Sequence, residues 1–305
     1  MGTDVIGKGE DSTITDWTPD MVLAFLSEQT DIQYQKPENS QSVQPVMRPP
    51  SICPGCPYTA FAVVVNKLKR KRKIFASFGD IGCSTLLHFN NALDTVLCMG
   101  ASDSMRQGFT MSRPEYAGKT ISVIGDSCEC HSGLDSTRNA VFRSNPGVKI
   151  ILDNRITAMT GGQPAPSSET NLAGDPNRFN LEKAVAAEEG RTVVVNSYDL
   201  EKVENEILKA LEMADQGTYS TLILEGPCIH EVTPVKKIRK VTVNLYKCKK
   251  CGLCNVCPGI DSQKGEFSKF TNQCANCGSN PSVCMQQCPF DAIEYIDESK
   301  MERPE

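Results

Sequence analysis

Two short apolar runs, each followed at once by small or polar residues, most constrain how this 305-residue chain can fold. Residues 120–124 (TISVI) precede the tripeptide GDS (125–127), and residues 148–152 (VKIIL) precede the dipeptide DN (153–154). Apolar, β-branched runs of this length are typical of strands that are buried on both faces of a parallel sheet. Open α/β sheets bind their ligands at the carboxyl ends of such strands. The residues after each run therefore predict a binding site at one edge of a sheet.

The chemistry of these residues suits a magnesium ion and a diphosphate. The Asp126 carboxylate, the Asn154 side-chain carbonyl and the backbone carbonyl of Ile156 are hard oxygen ligands. Mg²⁺ prefers such ligands and completes its octahedron with diphosphate oxygens. The residues after GDS are predicted to open a helix whose first N–H groups face the phosphates. A GDS tripeptide alone is more often an ordinary strand-to-helix turn, so the prediction depends on both halves at their spacing.

The whole stretch resembles the thiamine diphosphate motif, and the segment TAMTGGQP (157–164) narrows the resemblance to the 2-oxoacid:ferredoxin oxidoreductase superfamily. The chain is most similar to the thiamine-binding half and ferredoxin tail of the indolepyruvate ferredoxin oxidoreductase α subunits. The resemblance covers residues 51–295 and implies thiamine diphosphate and Mg²⁺ as cofactors. The positions that match the family's cofactor-binding motifs are Gly100, Ala101, Ser102, Gly125, Asp126, Ser127, Asn154, Ile156, Thr157 and Thr160.

Two further residues are implied to act at the reacting end of the cofactor. His131 is a candidate polar contact to substrate or cofactor, with a purely structural histidine as the alternative. Met159 replaces a polar residue of the pyruvate-type relatives, so an aryl or bulky 2-oxoacid is expected, of the indolepyruvate, phenylpyruvate or phenylglyoxylate type. Glu129 and Cys130 stand where the indolepyruvate family has two aromatic residues, and this departure concerns the substrate more than the diphosphate site.

Fifteen cysteines are present, and eight of them lie between residues 248 and 288. In a reducing compartment, clustered C-x-x-C spacings indicate metal sites rather than disulfides. The two quartets resemble a bacterial two-cluster ferredoxin, in which the fourth cysteine of each run ligates the other cluster. That pattern assigns Cys248, Cys251, Cys254 and Cys288 to one 4Fe–4S cluster and Cys274, Cys277, Cys284 and Cys257 to a second. Both spacings are irregular, and a zinc ribbon is the alternative.

A third, proximal 4Fe–4S cluster beside the thiamine is implied by the family resemblance alone. The matching positions are a CPGC pair, a single cysteine after GDIG and one in a Gly-Pro-Cys segment, namely Cys53, Cys56, Cys83 and Cys228. Four thiolates are the ordinary complement of such a cluster. Buried free cysteines are the alternative.

Predicted strands and helices alternate along the chain, which indicates an α/β fold with a doubly wound parallel sheet. Helices are predicted after CPGC through Leu68, over 181–190 and over 200–213, and strands over 192–196 and 220–225. Three parts are expected: an N-terminal arm (1–50), a thiamine diphosphate-binding domain (51–235) and a small two-cluster ferredoxin-like domain (236–305). Within the arm, Thr18 and Pro19 predict the start of a short helix.

Composition restricts the cellular location, the kinds of partner and the kind of source organism that can be expected. No run of about 18 apolar residues and no export leader is found, so a cytoplasmic location is expected. The net charge of −5 argues against a nucleic-acid surface. The abundance of cysteine favours an anaerobic source.

The resemblance implies a subunit that oxidatively decarboxylates a 2-oxoacid, passes electrons to ferredoxin or another acceptor, and transfers the acyl group to coenzyme A. It also implies a separate pyrimidine-domain subunit that completes the active site, with a γ-type subunit as a further partner. Two alternatives remain: a non-catalytic iron–sulfur electron-transfer subunit, and a non-oxidative thiamine-dependent decarboxylase.

Overall fold

The computed structural model describes residues 16–35, 50–177, 179–231, 241–275, 277 and 282–296. The chain divides into two compact units, residues 1–49 and residues 50–305. In the first unit, helix α1 (Pro19–Gln29) begins as predicted, because the Thr18 hydroxyl accepts the Met21 N–H at 3.3 Å. Most of the arm predicted beyond this helix falls on residues 36–49, outside the described ranges.

The second unit contains a six-stranded parallel sheet in its described part. Its strands are β1 (Ala76–Gly79), β2 (Thr95–Val96), β3 (Thr120–Gly125), β4 (Gly147–Asp153), β5 (Arg191–Asn196) and β6 (Tyr219–Glu225). They are arranged in the order β2-β1-β3-β4-β6-β5. Gly125 pairs with Leu152 and Asp153 pairs with Glu225, so β3, β4 and β6 end at the same edge.

Helices cover both faces of this sheet, as the doubly wound prediction requires. They are α2 (Tyr58–Arg70), α3 (Ala101–Ser112), α4 (Asp126–Cys128), α5 (Leu134–Phe142), α6 (Leu181–Ala186) and α7 (Leu200–Asp215). Ile150 and Leu152 of β4 lie in one core cluster with α2 and α7, whereas Ile151 lies in a second cluster with α6. The α/β fold class is therefore confirmed.

The largest difference from the predicted helix bounds lies in α6. Helix α6 ends at Ala186 rather than at residue 190, and Glu189 has a φ of 65°. A left-handed residue cannot continue a right-handed helix, so the chain turns here into β5. In addition, a five-residue π-helical turn (Glu129–Gly133) joins α4 to α5.

The cysteine-rich tail forms small ribbons around a single short helix in its described part. Its elements are β7 (Val241–Val243), β8 (Ile260–Asp261), β9 (Lys269–Phe270), α8 (Val283–Gln287) and β10 (Ile293–Tyr295). Strand β7 pairs antiparallel with β10, and β8 pairs antiparallel with β9. The expected boundary at residues 235–236 lies in 232–240, outside the described ranges. Among the described residues, no helix has the length and apolar character needed to cross a membrane.

Candidate active site

The predicted magnesium ligands lie where β3 and β4 end. Asp126 and Asn154 are both buried, with exposed fractions of 1% and 6%. The Ser167 hydroxyl donates to Asp126 at 2.5 Å, and the Asn154 side-chain oxygen accepts the Ile156 N–H at 3.2 Å. The structure therefore brings the two oxygen-bearing side chains to one edge, as their positions after adjacent strands predict.

A second carboxylate increases the negative charge at this edge. Burial raises the pKa of Asp153 to about 7, and the neighbouring charge of Asp126 contributes to that rise. Burial likewise raises the pKa of Asp126 above its ordinary value. The charge of Arg155 offsets part of the rise at Asp153, and a bound divalent cation would stabilise both carboxylates in the charged form. This donor set fits a Mg²⁺ ion.

The loop after β4 is fixed by its own side chains. Arg155 has a φ of 64°, and its N–H donates to the Asp153 carboxylate at 3.0 Å. Thr157 donates from its hydroxyl to the Ser127 hydroxyl at 2.9 Å, which joins this loop to the start of α4. Of the predicted cofactor contacts, Ser127 and Thr157 are thus brought together, whereas Thr160 is exposed and bonds Gln163.

The predicted Gly-Ala-Ser segment is held by an aspartate that sequence reasoning did not select. Asp80 is fully buried, and its carboxylate accepts the N–H groups of Gly100 at 3.0 Å and Ser102 at 3.2 Å. Burial raises the pKa of Asp80, and these N–H groups partly offset that rise. A signal was present, since Gly79-Asp80 follows β1 as Gly125-Asp126 follows β3.

Gly100 connects this segment to the π-helical turn, which carries His131 and Ser132. It has a φ of 79°, and a Cβ atom at this position would collide with Ser132. A glycine is therefore required both by the left-handed backbone and by the close approach.

Replacing Gly100 by alanine should destabilise the chain by about 1–3 kcal/mol, because left-handed strain and a steric collision act together. Gly108→Ala is the matched control. Gly108 lies within α3 with open space around it, so alanine there should stabilise by about 0.5–1 kcal/mol. Urea unfolding under anoxic conditions measures both changes. Equal effects of the two substitutions would contradict the close packing of Gly100.

A buried ion pair lies beneath the π-helical turn. Lys149 of β4 and Glu129 are both fully buried, and their charged atoms approach to 2.6 Å. The Lys149 ammonium also donates to the Gly133 carbonyl at 2.8 Å and to the Thr137 hydroxyl at 2.9 Å. Burial raises the pKa of Glu129, and the charge of Lys149 offsets part of that rise. The run read from the sequence as an apolar strand thus contains a fully buried lysine, which is a correction to that interpretation.

A second buried pair reinforces the same part of the core. Arg106 donates to Asp103 at 2.8 Å, and the Ser122 and Tyr219 hydroxyls donate to the same carboxylate at 2.7 and 2.9 Å. Burial alone would raise the pKa of Asp103, but the charges of Arg106 and Lys149 and these hydrogen bonds hold it below its ordinary value. These charges and hydrogen bonds link α3 to β3, β4 and β6 in the core next to the site.

The four predicted proximal cysteines lie close enough for the thiols to influence one another's pKa. Burial raises the pKa of Cys83 to about 11, with further contributions from the neighbouring thiols of Cys228 and Cys53. The same three thiols raise the pKa of Cys56, which is governed mainly by its own burial. Thiolates crowded in this way repel one another unless a metal centre neutralises them, so the set fits a cluster. The Cys228 N–H donates to the Asn154 carbonyl at 3.0 Å, which bonds this set to the loop that carries Asn154 and Ile156.

The structure groups the eight tail cysteines around two small cavities. The cavity named here the outer cavity is lined by Cys248, Cys251, Cys254 and Cys288. The cavity named here the inner cavity is lined by Cys257, Cys274, Cys277 and Cys284. Each cavity thus contains the fourth cysteine of the other quartet, in the sets that the ferredoxin resemblance implies. In the described ranges, no three His, Cys, Asp or Glu side chains converge on one metal-ion position.

Three cysteines fall outside these sets. Burial raises the pKa of both Cys128 and Cys130 to about 12, so these thiols stay protonated and unreactive. Cys98 is exposed beside the Gly-Ala-Ser segment. All fifteen cysteines are free of disulfides.

The two predicted substrate-contacting residues are exposed in this chain. Met159 is 46% exposed and lies in the loop that the Thr157–Gln163 bridge closes. His131 lies in the π-helical turn, beside the serine that faces Gly100. Leu97 and Met99, which precede the Gly-Ala-Ser segment, are 67% and 49% exposed.

Known proteins match most of this chain. Residues 61–223 match the family model of the thiamine pyrophosphate enzymes, C-terminal TPP binding domain. The indolepyruvate oxidoreductase subunit IorA of Pyrococcus horikoshii is 31% identical over 306 residues, which span 92% of this chain and 46% of that protein. The IorA subunit of Methanothermobacter thermautotrophicus is 34% identical over 260 residues, spanning 81% and 40%. The chain therefore spans less than half the length of these curated relatives.

A solved structure is also similar, that of 2-oxoglutarate:ferredoxin oxidoreductase from Magnetococcus marinus with 2-oxoglutarate, coenzyme A and succinyl-CoA bound. It has a TM-score of 0.47 and 16% identity, and the match covers 84% of this chain and 89% of that one. The family match runs from α2 to β6 and includes Asp126 and Asn154. The resemblance stated from the sequence is thus confirmed: this chain belongs to the thiamine pyrophosphate enzymes through their C-terminal TPP-binding domain and is similar to the IorA subunits of indolepyruvate oxidoreductases.

Proposed function

We propose that this chain is the thiamine diphosphate-binding, electron-transferring subunit of a coenzyme A-dependent 2-oxoacid:ferredoxin oxidoreductase. The observation that supports this most is the 3.0 Å bond from the Cys228 N–H to the Asn154 carbonyl. It joins a proposed cluster ligand directly to the loop of a proposed magnesium ligand. A cofactor that releases electrons and a centre that accepts them would therefore be held by two segments bonded directly to each other.

The chain's own residues would hold and orient the cofactor. Asp126, Asn154 and the Ile156 carbonyl would ligate Mg²⁺, and the N–H groups that open α4 would face the diphosphate. Gly100, kept against Asp80, would let the backbone approach the cofactor closely. Thiamine diphosphate, when bound, supplies the carbanion stabilisation that 2-oxoacid decarboxylation requires.

The cysteines distinguish this function from its two alternatives. A non-oxidative decarboxylase requires no electron acceptor, whereas here two sets of four cysteines line cavities and Cys228 of the proposed third set is bonded to the loop that carries Asn154. A non-catalytic electron carrier requires no Mg²⁺ site, whereas Asp126 and Asn154 are buried together at the strand ends. We assign a 4Fe–4S cluster to each set, with ferredoxin as the acceptor, in a reducing, cytoplasmic and anaerobic setting.

Substrate and partners are extensions of the same proposal. Met159 would provide an apolar wall for an aryl or bulky 2-oxoacid, and His131 a polar contact. Exposed apolar side chains at Leu97, Met99 and Met159 suit coverage by another chain. We assign this role to a separate pyrimidine-domain subunit, within an assembly that also holds a γ-type subunit.

The test is anoxic purification with co-eluting partners, followed by viologen reduction with a panel of 2-oxoacids. We expect coenzyme A-dependent reduction with aryl acids and none from the chain alone, which should still contain iron. Reduction with only small or charged acids would contradict the aryl pocket, and activity of the isolated chain above that of free thiamine diphosphate would contradict the shared site. A preparation that contained iron but no thiamine, and that reduced no viologen, would support the non-catalytic electron-carrier function instead.

A further inference from the structure

The proximal cysteines and the inner cavity share one stretch of backbone. Gly55 lies between Cys53 and Cys56 in the CPGC turn, and it also lines the inner cavity. Its φ is 76°, and a Cβ atom added to it would lie 2.9 Å from the Ala275 Cβ and 3.1 Å from the Cys277 Cβ. The glycine backbone therefore packs directly against the loop that carries Cys277.

Tyr198 lies beside this contact. It is half-buried in the turn between β5 and α7, and its hydroxyl donates to the Gly55 carbonyl at 2.9 Å. Burial raises its pKa, with contributions from the thiols of Cys277, Cys56 and Cys228. The phenol therefore lies near cysteines of both sets while it donates to Gly55.

The same turn is also bonded to the cysteine-rich tail. The Gln286 side chain of α8 donates to the Tyr198 carbonyl at 2.7 Å and accepts the Leu200 N–H at 3.1 Å. Ser197 of this turn donates to the Pro57 carbonyl at 2.8 Å, which adds a second bond to the CPGC segment. Residues 197–200 thus bind the CPGC segment on one side and α8 on the other.

We propose that Tyr198 and Gln286 form a clamp that sets the separation between the proximal cluster and the cluster of the inner cavity. Tyr198 is a positioning residue, because it acts through the Gly55 carbonyl rather than on a cluster. The proposal rests on the cluster assignments of the proposed function and adds to them the residues that hold two clusters at a fixed separation.

Three assemblies test the clamp: those carrying Tyr198→Phe, Gln286→Leu or Tyr246→Phe, each purified anoxically with its clusters. Tyr246 is 97% exposed, so its variant is a control for removing a tyrosine hydroxyl. Iron and sulfide are counted first, and dithionite-reduced samples are then compared by electron paramagnetic resonance. The signal of interest is the splitting that neighbouring paramagnetic clusters impose on each other.

We expect Tyr198→Phe and Gln286→Leu to keep their iron but to lose part of this splitting, while Tyr246→Phe matches the unmodified protein. The splitting between the two tail clusters should persist as an internal reference. Unchanged splitting in both clamp variants at full iron content would overturn the clamp. If Tyr198→Phe lost iron, the splitting measured in Gln286→Leu would be the test of the clamp. An unmodified protein with fewer than three clusters would instead contradict the proposed function.

Discussion

Lys149→Met should lower the free energy of unfolding by about 3–5 kcal/mol, the range found when one partner of a buried ion pair is removed. Lys149 is fully buried, and its ammonium satisfies Glu129, the Gly133 carbonyl and the Thr137 hydroxyl. Methionine fills a similar volume but satisfies none of them, and Glu129 would remain buried without a counter-ion. Urea unfolding of the anoxic chain measures the change.

Arg138→Met is the matched control for this variant. Arg138 also pairs with a glutamate, Glu188, but its side chain is 64% exposed. Removing a surface pair should change stability by no more than about 1 kcal/mol. If Lys149→Met also lowered the free energy of unfolding by no more than about 1 kcal/mol, that result would contradict a charged, buried pair of Lys149 and Glu129. The double variant Lys149→Met/Glu129→Leu should recover most of the stability, because no unpaired charge remains.

The direction of pH dependence provides a further check. Without Lys149, burial leaves the folded pKa of Glu129 above its ordinary value of 4.5, so the folded state holds a proton that the unfolded state has released. Stability must then fall as pH rises from 4.5 toward the folded pKa. The Lys149→Met deficit should therefore be larger at pH 8 than at pH 5. A deficit independent of pH would mean that lost packing, not charge, accounts for it.

Asp126→Asn should abolish cofactor retention while leaving the fold intact. Losing an outer hydrogen-bond partner of a metal ligand typically costs about 10–100-fold in affinity, and losing a carboxylate ligand should cost at least as much. The substitution also removes the buried charge of Asp126, which raises the pKa of Asp153, so the cofactor-free chain should be no less stable than the unmodified one. Function and stability should therefore separate at this residue.

The measurement is thiamine and magnesium content per chain after gel filtration of the assembly, with unfolding of the cofactor-free chain in parallel. Asp135→Asn is the control, since that side chain is 85% exposed. We expect it to retain cofactor fully. Normal retention by Asp126→Asn would place the magnesium ligand elsewhere, whereas unfolding of the variant would show a structural role for Asp126.

The central sheet was predictable because its strands are continuous apolar runs bounded by polar residues. Strand β3 extends one residue beyond the C-terminal end of the predicted run 120–124. Strand β4 extends one residue beyond each end of the predicted run 148–152. The short edge strand Thr95–Val96 and the strand order depend on contacts between distant segments, and no local pattern encodes them. The π-helical turn similarly depends on a distant segment, because the buried ion pair of Lys149 and Glu129 lies beneath it.

The buried charges show the same limit of sequence reasoning. Lys149 pairs with a residue twenty positions earlier, a separation that belongs to no helical or strand period. Its only trace in the sequence is one lysine inside an apolar run. Asp80 could have been found by comparison with Asp126, because each follows a strand and a glycine. The approach of Gly55 to Cys277 leaves no comparable trace, since it joins loops more than two hundred residues apart.

On the proposed cluster assignment, that approach would couple the maturation of two clusters. The Gly55 backbone is a wall of the inner site and part of the turn that carries Cys53 and Cys56, so the tail would seat against a CPGC turn already in its final shape. Insertion of the proximal cluster would then precede completion of the inner one. Oxygen damage to the inner cluster would loosen that wall and expose the proximal cluster in turn. The shared glycine would make cluster loading sequential and oxidative inactivation all-or-none.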